Sequence, residues 1–183
     1  MPNTANKAIF LDRDGTLNED TGYVYTLEAF KWLPGVIQAL KLFKEAGYLL
    51  IVVSNQSGIA RNYYTTQDLM LLQDQVNAEL ATHNATIDFW YHCPHLPEIT
   101  GPCSCRKPAP GLLLDAIKAH NIDPKRSYMI GDRFKDVQAG KAASVTPIKL
   151  GLGQDPEDLK AQELGSLIFP DLLTAAKFIL DQA

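Results

Sequence analysis

The chain has 183 residues, a length typical of one domain with a sizeable buried core, and we expect a single domain over 1–183. Apolar residues make up 46% and charged residues 21%, and Lys plus Arg (17) against Asp plus Glu (21) gives a net charge of −4. This acidic balance argues against a general binder of nucleic acid or of an anionic membrane. The sequence shows neither a membrane-spanning stretch nor a signal peptide, so we expect a cytoplasmic protein.

Segments that are typical of strands and of helices alternate along the chain. The spacing of Val36, Leu40 and Phe43, for example, places apolar side chains on one face of a helix. In chain order the predicted elements are a strand at 8–11, a helix at 35–46, a strand at 49–53, a helix around 69–80, a strand at 87–91, a helix at 111–120, a strand at 128–130, a helix at 135–143, a strand at 145–150 and a closing helix around 172–179. This alternation predicts an α/β fold with a doubly wound, mainly parallel sheet.

Acidic, hydroxyl and basic side chains collect where the predicted strands end. The run Asp12-Arg13-Asp14-Gly15-Thr16 follows the first strand, and Ser54-Asn55-Gln56-Ser57-Gly58 follows the second. Gly131-Asp132-Arg133 follows the strand at 128–130, and Arg106-Lys107-Pro108 precedes the helix at 111–120. Because ligands of open parallel sheets bind beyond the carboxyl ends of the strands, we expect these groups to line one rim.

The chemistry of this set suits phosphoryl transfer. The carboxylates of Asp12, Asp14 and Asp132 would form a hard oxygen site of the kind that Mg²⁺ prefers. One carboxylate can attack phosphorus to give an aspartyl-phosphate, and another can exchange protons with the leaving oxygen and with water. Each motif alone is compatible with a turn, a helix start or a solvated lysine. Their joint order, D-x-D-G-T, S-N, K-P and G-D-x-x-x-D, favours a phosphatase site.

These motifs closely resemble those of the haloacid dehalogenase superfamily of phosphatases, over residues 8–150. The resemblance implies that Asp12 is the nucleophile and Asp14 the general acid and base. It implies that Ser54 and Lys107 hold the phosphate. It also implies a Rossmann-like core and an aspartyl-phosphate intermediate.

The same resemblance implies a magnesium site. Its ligands would be Asp12, the backbone carbonyl of Asp14 and Asp132, with Asp136 as a supporting acid. Many relatives insert a cap domain, but the segment after Thr16 is too short for one. We therefore expect loops alone to cover the site.

The three cysteines and one histidine form the pattern C-x-H-x7-C-x-C, with the residues Cys93, His95, Cys103 and Cys105. Three thiolates and one imidazole make a complete tetrahedral Zn²⁺ set with no open position, so the predicted zinc is structural. We expect it to hold the loop 93–105, which leads into Lys107. The alternatives are unligated buried or redox-active cysteines, and His92 in place of His95.

A phosphatase of this superfamily without a cap and with such a zinc loop resembles one subfamily. That subfamily contains the D-glycero-D-manno-heptose 1,7-bisphosphate 7-phosphatases and the histidinol-phosphate phosphatases. The runs 12–24 and 54–61 resemble the heptose enzymes in particular, although Asn62 stands where those relatives usually have glycine. The implied substrate contacts are Asp20, Thr21, Gly22, Tyr23, Ser54, Asn55, Gln56, Ser57, Arg106, Lys107 and Arg133.

The leading hypothesis is therefore a Mg²⁺-dependent phosphatase of a small phosphorylated sugar, acting as a monomer without a nucleic-acid or membrane partner. Histidinol-phosphate phosphatase is the alternative within the same class. A phosphorylated signalling receiver and an inactive zinc-stabilised binding module are alternatives of other classes. The order of the motifs and the zinc pattern argue against both.

Overall fold

In the computed structural model, which describes residues 5–182, six strands form one parallel sheet between two layers of helices. The strands are β1 Ala8–Leu11, β2 Leu49–Asn55, β3 Phe89–Cys93, β4 Tyr128–Gly131, β5 Thr146–Leu150 and β6 Leu167–Phe169. The helices are α1 Val36–Glu45, α2 Thr66–Ala81, α3 Pro97–Thr100, α4 Gly111–Ala119, α5 Phe134–Ala142, α6 Pro156–Glu163 and α7 Leu172–Asp181, with a 3₁₀ turn at Pro124–Arg126. Residues 1–4 and 183 of the predicted domain lie outside the described range.

The order of the strands in the sheet is β3-β2-β1-β4-β5-β6. The sheet therefore grows outward in both directions from the neighbouring strands β1 and β4, as the predicted doubly wound fold requires. In such a sheet the crevice for a ligand lies beyond the carboxyl ends of these two central strands. The strands that precede Asp12 and Asp132 are the two that flank this crevice.

Both faces of the sheet are apolar because helices cover both. Along β1, Ile9 and Leu11 face the layer formed by α1, α2 and α7, whereas Ala8 and Phe10 face the layer with α4 and α5. This alternation follows from the twofold period of a strand. All four side chains are fully buried, so the strand that carries Asp12 at its end is fixed on both sides.

The strand predicted at 87–91 lies two residues later, and the structure gives the reason. The backbone N–H of Ile87 donates to Asn77 Oδ1, and Asn77 Nδ2 donates to the Ile87 carbonyl, both at 3.0 Å. The carboxylate of Asp88 accepts from the N–H of Leu50 at 2.7 Å. The Asn77 side chain therefore satisfies the backbone of Ile87, and the Asp88 carboxylate takes the Leu50 N–H in place of a backbone carbonyl, so the ladder of β3 begins at Phe89.

Three further elements, α3, α6 and β6, were not predicted, while the other predicted elements agree with the structure to within three residues at their ends. The segments 12–35 and 56–65 contain turns and isolated bridges between their flanking elements, so loops cover the crevice, as expected. Asn62 has a φ of 56°, a left-handed value that glycine and asparagine tolerate best, which explains how asparagine can replace glycine there. Within residues 5–182, no helix has the length and apolarity needed to cross a bilayer.

Candidate active site

The side chain of Lys107 lies at the centre of the site and is fully buried. Its Nζ lies 2.8 Å from Asp12 Oδ1, 2.8 Å from Asp136 Oδ1 and 2.6 Å from the carbonyl oxygen of Val53. Burial opposes the charge of Lys107, but the carboxylates of Asp12 and Asp136 outweigh it and hold the pKa above its usual value. The lysine is therefore a cation that balances two buried acids.

Asn55, the last residue of β2, fixes the backbone at this lysine. Its Nδ2 donates to the Lys107 carbonyl, and the N–H of Lys107 donates to Asn55 Oδ1, both at 3.0 Å. This reciprocal pair joins the loop before α4 to the end of β2. The sequence places Asn55 among the substrate contacts, and the structure gives it this positioning contact as well.

Three carboxylates gather beside the lysine. Oxygens of Asp12, Asp132 and Asp136 lie within 4.8 Å of one another. Asp132 Oδ1 is buried without a hydrogen-bond partner, whereas Arg133 Nε lies 3.1 Å from Oδ2. Burial and then the charges of Asp12 and Asp136 raise the pKa of Asp132 to about 7. Gly15 packs so closely that a Cβ there would collide with the Asp132 carboxylate.

This arrangement fits a divalent cation. An unpartnered buried carboxylate oxygen beside a second carboxylate offers the hard oxygen ligands that suit Mg²⁺. A bound cation would also relieve the charge repulsion that raises the pKa of Asp132. The side chain of Asp14 lies outside this cluster, which is compatible with a role for its carbonyl rather than its carboxylate.

The Asp14 carboxylate is oriented by three neighbours. Arg13 Nη2 donates to Oδ1 at 2.9 Å and to Oδ2 at 2.8 Å, Asn18 Nδ2 to Oδ1 at 3.0 Å, and Gln56 Nε2 to Oδ2 at 3.2 Å. Arg13 is only 1% exposed, and its Nη2 also donates to the carbonyl of Val24 at 2.6 Å. From the sequence, Arg13 and Asn18 were assigned no such role. Their positions within D-R-D-G-T-L-N are the only sequence signal for it.

A polar cleft of about 300 Å³ opens above Asp12 and Asp14. The predicted contacts that line it are Asp20, Gly22, Tyr23, Asn55, Gln56, Ser57 and Arg133. Tyr64 and Lys135 also line it and were not predicted. Lys135 lies inside the G-D-x-x-x-D motif, and Tyr64 directly precedes the capping box that starts α2.

Four other predicted contacts lie elsewhere. Ser54 and Lys107 are buried, at 3% and 2% exposure, and do not line the cleft. Thr21 is exposed and does not line the cleft, and Arg106 Nη1 donates to the His95 carbonyl at 3.1 Å. The structure therefore ties Arg106 to the cysteine loop, and its contact with substrate stays a prediction.

The three cysteines and His95 converge at the end of β3. Sγ of Cys93 lies 2.8 Å from Sγ of Cys105 and 3.6 Å from Sγ of Cys103, and His95 Nδ1 lies 3.3 Å from Cys105 Sγ. Ligands on Zn–S bonds of ~2.3 Å would lie ~3.8 Å apart, so the cluster has nearly the size of a tetrahedral zinc site. The donor set fits zinc, and it uses His95 rather than His92.

Comparison with known proteins agrees with the fold and the site. A family model described as HAD-hydrolase-like matches residues 104–175. The D-glycero-beta-D-manno-heptose-1,7-bisphosphate 7-phosphatase of Pasteurella multocida is 49% identical over 143 residues, which cover 76% of this chain and 78% of that protein. The protein of the same name from Photorhabdus laumondii is 40% identical over 178 residues, or 94% of each chain.

A solved structure extends the similarity to almost the whole chain. The D,D-heptose 1,7-bisphosphate phosphatase from B. bronchiseptica, complexed with magnesium and phosphate, matches with a TM-score of 0.85 and 31% identity. The match covers 97% of this chain and 99% of that one. Together with the motifs at 8–150, these similarities confirm the predicted resemblance. The chain belongs to the haloacid dehalogenase-like family of phosphoric monoester hydrolases, in which its similar relatives are heptose bisphosphate phosphatases.

Proposed function

We propose that this chain removes the 7-phosphate of D-glycero-D-manno-heptose 1,7-bisphosphate in a Mg²⁺-dependent reaction with an aspartyl-phosphate intermediate on Asp12. The observation that carries the proposal is that Asp12 and Asp14 line one polar cleft while the buried Lys107 contacts Asp12 from within the protein. It is supported by relatives at 40–49% identity that are named for this reaction.

Asp12 is the nucleophile of the first half-reaction. Lys107 Nζ and the N–H of Arg13 each hold its Oδ1 at 2.8 Å, which fixes the carboxylate at the floor of the cleft. An Asp12 oxygen bonds to phosphorus, and the bond between phosphorus and the sugar oxygen breaks. Lys107 remains close enough to the nucleophile to attract the negative oxygens of the transferred group.

Asp14 moves the protons. In the first half-reaction its carboxyl donates a proton to the leaving sugar oxygen. In the second, it accepts a proton from the water that attacks phosphorus, so that phosphate leaves and the Asp12 carboxylate is restored. The contacts from Arg13, Asn18 and Gln56 keep the Asp14 carboxyl at one place in the cleft for both steps.

Asp12, Asp132 and the backbone carbonyl of Asp14 are the groups that we expect to hold Mg²⁺. When bound, the ion supplies positive charge against the phosphoryl oxygens. Asp136 is already engaged, since its Oδ1 contacts Lys107 and its Oδ2 accepts from the N–H of Arg133 at 3.0 Å. We therefore expect Asp136 to position the lysine and the loop after β4.

One structural zinc per chain completes the proposal. Cys105 is only two residues before Lys107, and the N–H of Gly111 at the start of α4 donates to the Ser104 carbonyl at 3.0 Å. A metal that ties Cys103 and Cys105 to the end of β3 would thus hold the segment that delivers the lysine. Zinc would then affect catalysis through position and not through contact with substrate.

The cleft has the groups that a phosphorylated sugar needs. Asp20 and Ser57 can bind hydroxyl groups, and Arg133 and Lys135 add positive charge at the wall. We expect this small-molecule reaction to take place in the cytoplasm on a monomeric enzyme. Sedimentation of the purified chain checks the monomer, and a sedimentation coefficient of a dimer would contradict it.

Phosphate release from the heptose bisphosphate tests the proposal. The wild type should release one phosphate per sugar when Mg²⁺ is present, and acid quenching during turnover should trap a phosphoryl group on the peptide that contains Asp12. The isosteric variant Asp12→Asn should keep its fold and release none. A lasting phosphoryl group with no turnover would instead indicate a signalling receiver, and full activity of Asp12→Asn would reject the assigned nucleophile.

A further inference from the structure

Gln56 connects the Asp14 carboxylate to a tyrosine that the mechanism above does not use. Gln56 Nε2 donates to Asp14 Oδ2 at 3.2 Å, and the hydroxyl of Tyr64 donates to Gln56 Oε1 at 2.6 Å. Gln56 is 2% exposed and Tyr64 is 5% exposed, so water offers the amide few other partners. The three side chains form one hydrogen-bonded line from the proton-transfer group into the protein.

The hydroxyl of Tyr64 determines which way the Gln56 amide faces. A carboxylate can only accept hydrogen bonds, so the amide must present its NH₂ group to Asp14 and its oxygen to the other side. A donor beside that oxygen stabilises this orientation and disfavours the flipped one. Burial raises the pKa of Tyr64 to about 12, so its hydroxyl keeps the proton that it donates.

The ring of Tyr64 is itself fixed in place. It stacks on Tyr25 with ring centroids 5.0 Å apart and an interplanar angle of 14°. It also packs against Gly58 so closely that a Cβ at that position would collide with it. Val24, the residue before Tyr25, accepts a hydrogen bond from Arg13 at its carbonyl, and the same arginine donates to the Asp14 carboxylate. Arg13 and Tyr64 therefore stabilise both the loop at 20–25 and the Asp14 carboxylate.

We propose that Tyr64 is a positioning residue for Asp14, which it holds through Gln56 in the orientation that delivers a proton to the leaving sugar oxygen. The inference rests on the proposed function, because it assigns Tyr64 a part in the same proton transfer. It adds a residue outside the D-x-D-G-T, S-N, K-P and G-D motifs to the catalytic geometry. It also predicts a specific dependence on the leaving group.

The dependence follows from what Asp14 does in the first half-reaction. A sugar oxygen is strongly basic and leaves slowly without a proton, whereas the p-nitrophenolate oxygen leaves readily without one. The ratio kcat/KM reports the steps up to the formation of the aspartyl-phosphate, so it isolates this proton transfer from the later attack of water. Misplacing the Asp14 carboxyl should therefore slow sugar phosphates and leave aryl phosphates nearly unaffected.

The test compares Tyr64→Phe with the wild type on heptose bisphosphate and on p-nitrophenyl phosphate. Phenylalanine keeps the ring on Tyr25 and removes only the hydroxyl. Losing one neutral hydrogen bond in the line should lower kcat/KM for the sugar about tenfold, with a change below about twofold for the aryl ester. Tyr48→Phe, which removes the hydroxyl of an equally buried tyrosine beside the amino end of β2, is the matched control and should change neither value.

A double-mutant cycle shows whether Tyr64 acts through Gln56. In a Gln56→Ala background, Tyr64→Phe should cause no further loss, because the connecting amide is already gone. Equal losses on both substrates, no loss on either, or full additivity with Gln56→Ala would each overturn the inference.

A wild type that hydrolyses p-nitrophenyl phosphate but not the heptose refutes the proposed substrate, and the comparison then uses glycerol phosphate as the alkyl ester. A wild type that hydrolyses none of these esters overturns both proposals.

Discussion

Replacing Lys107 with methionine, which preserves most of the side-chain volume, should nearly abolish turnover. The lysine Nζ contacts Asp12 Oδ1 at 2.8 Å and would face the oxygens of the transferred phosphoryl group. Loss of one such preorganised contact with developing charge costs about 2.7–4 kcal/mol. We therefore expect kcat to fall by about 10²–10³.

The same change should destabilise the fold. Lys107 and Asp136 are both fully buried, so the variant leaves the carboxylates of Asp12 and Asp136 facing each other without a cation. Breaking a buried ion pair by removing one partner costs about 3–5 kcal/mol. Stability and turnover must therefore be measured separately, by thermal unfolding and by phosphate release at a temperature where the variant remains folded.

Lys149→Met is a matched control. Lys149 and Asp158 form another buried ion pair, at 2% and 1% exposure, and neither residue lines the cleft. Its loss should lower the melting temperature by a similar amount while kcat changes by less than about threefold. If Lys107→Met kept its turnover, or if Lys149→Met lost as much, the catalytic role of Lys107 would be refuted.

Two further predictions concern the metals. Purified protein should contain about one zinc per chain, and the variant Cys103→Ser should lose this zinc. The variant should also melt at a lower temperature and turn over more slowly, because a zinc without an open coordination position acts only by holding the loop in place. A wild type without zinc, together with unchanged activity of the variant, would contradict this prediction. Burial and the charges of Asp12 and Asp136 raise the pKa of Asp132 to about 7, so without Mg²⁺ the protonated carboxyl contributes stability at acidic pH that is lost as the pH rises toward 7. Mg²⁺ displaces that proton and should therefore raise the melting temperature more above pH 7 than below it, and an equal rise at both would contradict the assignment of the cation to this cluster.

The sequence was sufficient to predict the central strands and the rim of the site. Fully apolar runs such as Leu50–Val53 indicate a strand buried on both faces, and the polar residues directly after such runs must lie at the carboxyl end. The order of the sheet then brings Asp12 and Asp132 together, because β1 and β4 are neighbours. The sequence spacing alone was enough to predict the cluster of three cysteines and His95, because all four residues lie between Cys93 and Cys105.

The missed elements carry weak periodic signals. The helix α6 buries only Asp158 and Ala161, and Leu159, the apolar residue that a pattern would place in the core, is 52% exposed. The strand β6 has three residues at the edge of the sheet, too few to show a twofold period. Both elements are held by tertiary contacts, among them the buried pair of Lys149 with Asp158, that local pattern cannot reveal.

The side chains that orient Asp14 were missed for a different reason. The direction of a side chain in a turn depends on the backbone after the strand, and an arginine between two aspartates is normally expected to face water. Here Arg13 turns inward and is almost fully buried between Asp14 and the Val24 carbonyl. Tyr64 is distant from Asp14 in sequence, so only the folded chain shows that Gln56 joins them.

The most direct test of the central claim is a comparison of kcat/KM for three substrates at saturating Mg²⁺: the two anomers of D-glycero-D-manno-heptose 1,7-bisphosphate, and histidinol phosphate. The proposed function predicts a strong preference for one heptose anomer, with phosphate lost from carbon 7 and the sugar 1-phosphate as product. A preference for histidinol phosphate would contradict the heptose assignment and the substrate contacts at 20–23, while leaving the roles of Asp12, Asp14 and Lys107 unchanged.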